Sequence, residues 1–148
     1  MNAVTPATIR AHVEATCPGT KVSQDEGSLF FIHDPRRDLP PNRQVPFATL
    51  TVSDKYDPGS DLARRGYFRL NIGVRPGTYQ ARFGALPPFP KDGGIVPGHD
   101  YTRVDTLLPH PIYAAMGWVC VVQPSPATWE QAKPMLAEAY ALANQRNA

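Results

Sequence analysis

The sequence predicts an α+β protein: an antiparallel sheet of about five strands, with N- and C-terminal helices packed on one face. Three observations carry that reading. Residues 66–74, GYFRLNIGV, alternate strictly, with Phe68, Leu70, Ile72 and Val74 in one set and Tyr67, Arg69, Asn71 and Gly73 in the other. That is the period of a strand with one packed face. Cap-plus-proline pairs, Thr5-Pro6 and Ser125-Pro126, announce helices near the two ends, and the short apolar runs lie between them. The 17 prolines, about twice the usual share, gather between elements, so the connections are stiff and non-helical.

The first helix covers about 6–16, with Ile9 and Val13 as its apolar stripe and Pro18-Gly19 as its stop. Two short strands follow, 21–25 and 29–33, around a turn at Glu26-Gly27. The run Leu29–Ile32 is continuously apolar, so the second of these is covered on both faces. The next strand spans 47–53, with Phe47, Thr49 and Thr51 on one face and Ala48, Leu50 and Val52 on the other. DKYDPGS (54–60) is a polar turn, and a helical turn at 61–65 leads into the alternating strand. A short helix covers 76–83, with Tyr79 and Phe83 on one side. Residues 86–113 are an irregular, Pro/Gly-rich segment, with one helical turn expected at 101–107. Residues 117–123, with WVCVVQ, are the last strand, apolar enough to lie centrally. The final helix starts at Pro126 and carries Trp129, Ala132, Leu136, Ala139, Tyr140 and Ala143 as one stripe.

The 148 residues fit one domain, and such a chain can build a core without disulfides or metals. Cys17 and Cys120 lie far apart, outside any CxxC or Cys/His cluster, and read as free thiols in a reducing compartment. The start, MNAVTPATIR, has no apolar signal core, and no stretch is long and apolar enough for a membrane span. A cytoplasmic protein without membrane contact is expected. The net charge of +2 is only mildly basic, and the charges are interleaved rather than clustered as in most nucleic-acid binders.

Arg69 and Asn71 share the face of their strand that faces away from the apolar set. Under a cover formed by the 86–113 segment, that face becomes a cleft where Arg69 binds a carboxylate or phosphate and Asn71 orients it. Tyr67, His110 and Tyr113 complete the candidate ligand site. The competing reading pairs Arg69 with Asp54 or Asp105 on a solvated sheet face. His110, between two prolines, is placed to act as acid, base or ligand, with Asp105 as the candidate carboxylate partner. Its competing reading is a ring that satisfies backbone groups. No GxSxG element and no phosphate-cradling loop occur. Cys120 lies in an apolar strand that makes its thiol inert. The scattered histidines give no metal motif. Asp54, Asp57 and Asp61 lack the pattern of a calcium loop and suit turn and cap roles instead. No metal and no cofactor is expected. Arg64, Arg65, Arg69, Arg75 and Arg82 form a basic stretch with Tyr67, Phe68 and Tyr79 among them, the makings of a nucleic-acid surface.

Several segments together resemble a bacterial, largely actinobacterial, family of unknown function: FFIHDPRRDLPP (30–41), PFATLTVSDKYDPGSDL (46–62), GYFRLNIGV (66–74), VDTLLPHPIYAAMGWVCVVQPSPATWE (104–130) and PMLAEAYALA (134–143). The C-terminal pattern, His110-Pro111 ahead of the Trp118 strand and then a Pro-capped helix ending in Ala139-Tyr140, is more distantly similar to the MmcQ/YjbR-like fold. That resemblance implies a small α+β domain of a double-wing type with a proposed DNA-binding role. Three functions are therefore expected in order: a non-catalytic binding module for a small anionic ligand or a protein partner, a DNA-binding protein, and an enzyme using His110 and Asp105.

Overall fold

The computed structural model describes residues 3–146, apart from the side chain of Arg64. Helix α1 (Pro6–Thr16) opens the chain, with the Thr5 hydroxyl accepting from the Thr8 amide and Pro6 in the first turn. Strands β1 (Thr20–Asp25) and β2 (Ser28–His33) form a hairpin, and β3 (Ala48–Thr51) follows the proline-rich excursion. A short helix α2 (Leu62–Arg65) leads into β4 (Arg69–Gly73), and α3 (Pro76–Phe83) comes directly after it. Strands β5 (Leu108–Pro109) and β6 (Trp118–Val122) precede the long helix α4 (Pro126–Arg146).

The six strands make one antiparallel sheet in the order β1-β2-β3-β4-β6-β5. The expected count of about five misses β5. Two residues are too few to show an alternation, and Pro109 in a proline-rich stretch argues against a strand anywhere but at an edge, which is where it lies. The helical turn expected at 101–107 is likewise absent. Val104 instead makes a parallel bridge to Val122, and the Asp105 amide donates to the Val122 carbonyl. All peptide bonds among the described residues are trans. Pro134 sits inside α4 on its exposed side, where the missing amide removes one helical hydrogen bond.

One face of the sheet carries the core. Leu70 and Ile72 of β4, Ala48 and Leu50 of β3, and Val119 and Val121 of β6 pack with Ile9 and Val13 of α1 and with Trp129, Leu136 and Ala139 of α4. Fully burying an aliphatic side chain of this size stabilises by about 1.5–3 kcal/mol, so this face holds the fold together. No helix among the described residues is long and apolar enough to cross a membrane.

The other face is covered by loops. The segment after β3 folds back over it, organised by Asp54, whose carboxylate accepts from the amides of Gly59, Asp61 and Leu62. The long segment before β5 packs beside it. Tyr101, Leu108, Cys120 and Ile95 form a small second cluster there, and the Tyr101 hydroxyl donates to the Val96 carbonyl at 2.8 Å.

Candidate functional site

Register places the polar face of β4 against matching positions on its neighbours. Thr49 lies across from Asn71 and Thr51 across from Arg69, while Trp118 of β6 lies across from Gly73. Gly73 is required there: a Cβ at that position would sit 2.8 Å from Cε2 of the Trp118 indole. The indole therefore packs directly against Gly73.

Arg69 is fully buried. Its Nε donates to Asn71 Oδ1 at 2.8 Å, one terminal nitrogen to Ser60 Oγ at 2.8 Å, and the other to Asp57 Oδ2 at 3.0 Å. Asn71 in turn donates from Nδ2 to the hydroxyls of Thr49 and Thr51. The loop organised by Asp54 supplies both Asp57 and Ser60, so the turn before α2 folds back and delivers the counter-ion.

His110 completes the cluster. Its Nδ1 accepts from the amides of Ile112 and Tyr113 at 3.1 and 3.0 Å. With two N–H groups aimed at it, Nδ1 carries no proton, so the proton sits on Nε2, which lies 3.3 Å from Asp57 Oδ2. Burial lowers the His110 pKa, and the Arg69 charge pushes the same way against the pull of Asp57. For Asp57, burial alone would raise the pKa. The hydrogen bond from His110 and the charge of Arg69 outweigh it and hold the carboxyl below its ordinary value. The pair is thus a carboxylate and a neutral imidazole, backed by a guanidinium.

This network is the floor of a cavity of about 330 Å³. Thr49, Thr51, Asp57 and His110 face into it from below. Its walls are the rings of Phe30, Tyr56, Tyr113 and Trp118, with Val45, Pro46 and Met116 at the border. Val45, Tyr56, Tyr113 and Met116 are among the exposed large apolar side chains of the molecule, so the mouth is apolar and open to solvent. A hollow of about 380 Å³ near His33, Asp34, Arg36 and Arg43 is of similar size, but its arginines and Asp38 stand in solvent and it has no comparable aromatic wall. An apolar enclosure with a few convergent polar groups is the usual form of a small-molecule site.

The model of the family of unknown function DUF6194 matches residues 4–148. The chain belongs to that family. Comparison with curated proteins and with solved structures returned no match. The DUF6194 match carries no assigned chemistry, so the geometry of the site bears the functional argument.

The residues singled out from this DUF6194 sequence fall in three places. Arg69, Asn71, His110 and Tyr113 come together at or beneath the cavity. Tyr67 does not join them; it is half-buried near Val4, Ala63 and Gln123. Asp105 lies elsewhere too, its carboxylate accepting from the Ser125 amide at 2.7 Å at the start of α4. The carboxylate that meets both His110 and Arg69 is Asp57, not Asp105 or Asp54, and the Arg69 face is buried rather than solvated.

In the sequence Asp57 and Ser60 read as turn residues, and nothing connects Phe30, Tyr56 and Met116 with the site. One signal was available: Thr49 and Thr51 already shared a face, and that face pairs with Arg69 and Asn71. Burial pushes the Cys120 thiol up to about 12, in keeping with an inert thiol. Both cysteines are free and buried. Among the described residues no three His, Cys, Asp or Glu groups gather as a metal site. Of the basic stretch, Arg69 is internal, Arg65 lies 3.9 Å from Asp61, and the Arg82 guanidinium rests 5.9 Å from the centroid of the Phe83 ring.

Proposed function

We propose that this protein is a non-catalytic binding module for a small organic molecule, held in the cavity above Asp57 and His110. The observation that carries the reading is the combination of aromatic walls with a polar floor whose hydrogen bonds are already made. Such a floor is preorganised and costs little to present to a ligand. Catalysis by His110 has less support. Both of its ring nitrogens are engaged within the protein, and Ser60 is fully buried beneath Arg69. An anion as ligand also has less support than Arg69 alone implied, because the guanidinium is matched by Asp57 and does not border the cavity.

A second reading, insertion of a protein partner's apolar side chain into the same cavity, is favoured by the exposure of Val45 and Met116 at the mouth.

The test is thermal denaturation against a panel of small neutral, cationic and anionic organic compounds and inorganic phosphate. A ligand at about 100 times its Kd stabilises by about 2.7 kcal/mol. At about 2–4 °C per kcal/mol for a chain near this size, that is a shift of roughly 5–11 °C. The reading predicts stabilisation by one or more organic compounds and none by phosphate. It also predicts a smaller shift in Tyr113→Ala and Met116→Ala, which are half-exposed and leave the unliganded melting point in place. No stabilising compound, or equal shifts in the rim variants, contradicts it.

A further inference from the structure

We propose that the ligand group seated in this cavity is an organic cation, an alkylammonium with methyl or larger substituents on nitrogen. The inference rests on the small-molecule reading above and adds the charge of the ligand.

Two aromatic pairs from separate parts of the chain border the cavity. Phe30 and Tyr56 meet edge to face with centroids 5.2 Å apart, and Tyr113 and Trp118 lie 6.3 Å apart at a tilt. Ring faces carry negative potential, and four rings bordering one space offer surfaces for a cation whose hydration is weak. The bordering residues include one ionised side chain, the Asp57 carboxylate, and neither Lys nor Arg. Arg69 stands behind Asp57 with no exposed surface. His110 contributes no charge, because two backbone amides occupy Nδ1 and Nε2 faces Asp57.

The surroundings lean the same way. Lys55 Nζ rests 5.3 Å from the Tyr56 centroid, but Asp25 and Glu26 hold it at 3.0 and 3.3 Å. One aromatic ring of the mouth thus already engages a cation, and around this end Asp25, Glu26 and Asp57 outnumber Lys55 and Arg69.

The alternatives are each opposed by a feature of the site. An anion would face both the carboxylate and the ring clouds. A neutral apolar molecule gains nothing from the carboxylate or from the ring faces. A primary ammonium donates three hydrogen bonds, and beside Asp57 the floor offers it Thr49 and Thr51 hydroxyls that each already accept from Asn71 and keep one lone pair. Substituents on nitrogen remove that demand and pack against the rings.

The experiment is calorimetric titration of the full chain with choline and with benzyltrimethylammonium. Each is compared with its neutral carbon isostere, in which a quaternary carbon replaces the nitrogen (3,3-dimethylbutan-1-ol for choline). The expected result is binding of at least one cation tenfold or more tighter than its isostere. That preference should fall severalfold in Tyr56→Leu and in Tyr113→Leu, both checked for an unchanged unliganded melting point. If isostere and cation bind equally, or if neutral compounds bind and the cations do not, the charge inference fails while the small-molecule reading stands. If neither cations nor any neutral compound bind, both fail.

Discussion

Replacing Arg69 with Met tests whether the site is held together by its buried ion pair. The substitution keeps much of the stem's volume and removes the guanidinium from three partners: Asp57, Ser60 and Asn71. Asp57 is left as a carboxylate whose side chain is 8% exposed, with the neutral His110 as its remaining donor. Removing one partner of a buried pair costs about 3–5 kcal/mol, because the other charge stays behind unmatched. The orphaned Asn71 oxygen adds about 1–3 kcal/mol. Two effects offset this: Asp57 takes up a proton more readily without Arg69, and it borders the cavity, where water reaches it. The net expectation is about 3–5 kcal/mol, a fall in melting temperature of roughly 6–20 °C. The assay is urea denaturation followed by circular dichroism, with Asp57→Asn and the double variant completing a cycle. Asn at 57 keeps an acceptor for His110 and removes the charge, so the double variant should recover at least about half of the Arg69→Met loss. A loss below about 1 kcal/mol for Arg69→Met, the range of exposed pairs, refutes the reasoning. So does strict additivity in the cycle.

Acid should destabilise the protein in two stages. The His110 and Asp57 pKa values are both depressed in the folded state, so each contributes stability that is complete above its unfolded value and lost as pH falls toward its folded one. The decline therefore begins near pH 6.5 for His110 and continues below about 3.8 for Asp57. His12, lowered by partial burial and by Lys133, acts in the same direction, so His110→Gln should remove part of the upper stage. Stability that rises between pH 7 and 5 contradicts this. Gly73→Ala should cost about 1–3 kcal/mol by overpacking. It should also shift tryptophan fluorescence, because the new methyl meets the Trp118 ring; an unshifted spectrum counts against the packing described. Asp54→Ala should cost about 1–2 kcal/mol, the scale of a lost cap. Proteolysis should then begin in the 55–61 loop that carries Asp57; cleavage elsewhere first argues against Asp54 as its organiser.

Much of the frame was legible because it is written in local periods. The alternation from Phe68 to Val74 gave β4 and its core face, and the proline caps gave α1 almost to the residue and the start of α4. β5 was not legible, since a two-residue pairing has no period and its partner lies beyond the next turn. The site was half legible. Arg69 and Asn71 stood out as polar residues on a strand, but a charged side chain on the face away from the core reads as solvated. Its burial depends on a loop folding back, and that loop's register is set by Asp54 rather than by any spacing to Arg69. The cavity walls come from β2, the two loops flanking β3, the turn at Tyr113–Met116 and β6. Convergence of that kind is a property of topology and leaves no local signature.

The two tryptophans offer the most direct test of the cavity as a binding site. Trp118 borders it, whereas Trp129 projects from α4 into the core on the opposite face of the sheet. In ¹⁵N-labelled protein their indole N–H signals can be followed separately during titration with benzyltrimethylammonium and with a panel of neutral organic compounds. A binding compound should move the Trp118 signal in a saturable way, together with the amides of Ile112 and Tyr113, and leave Trp129 in place. Movement of Trp129 instead, or two unmoved indoles across the whole panel, would contradict binding in this cavity.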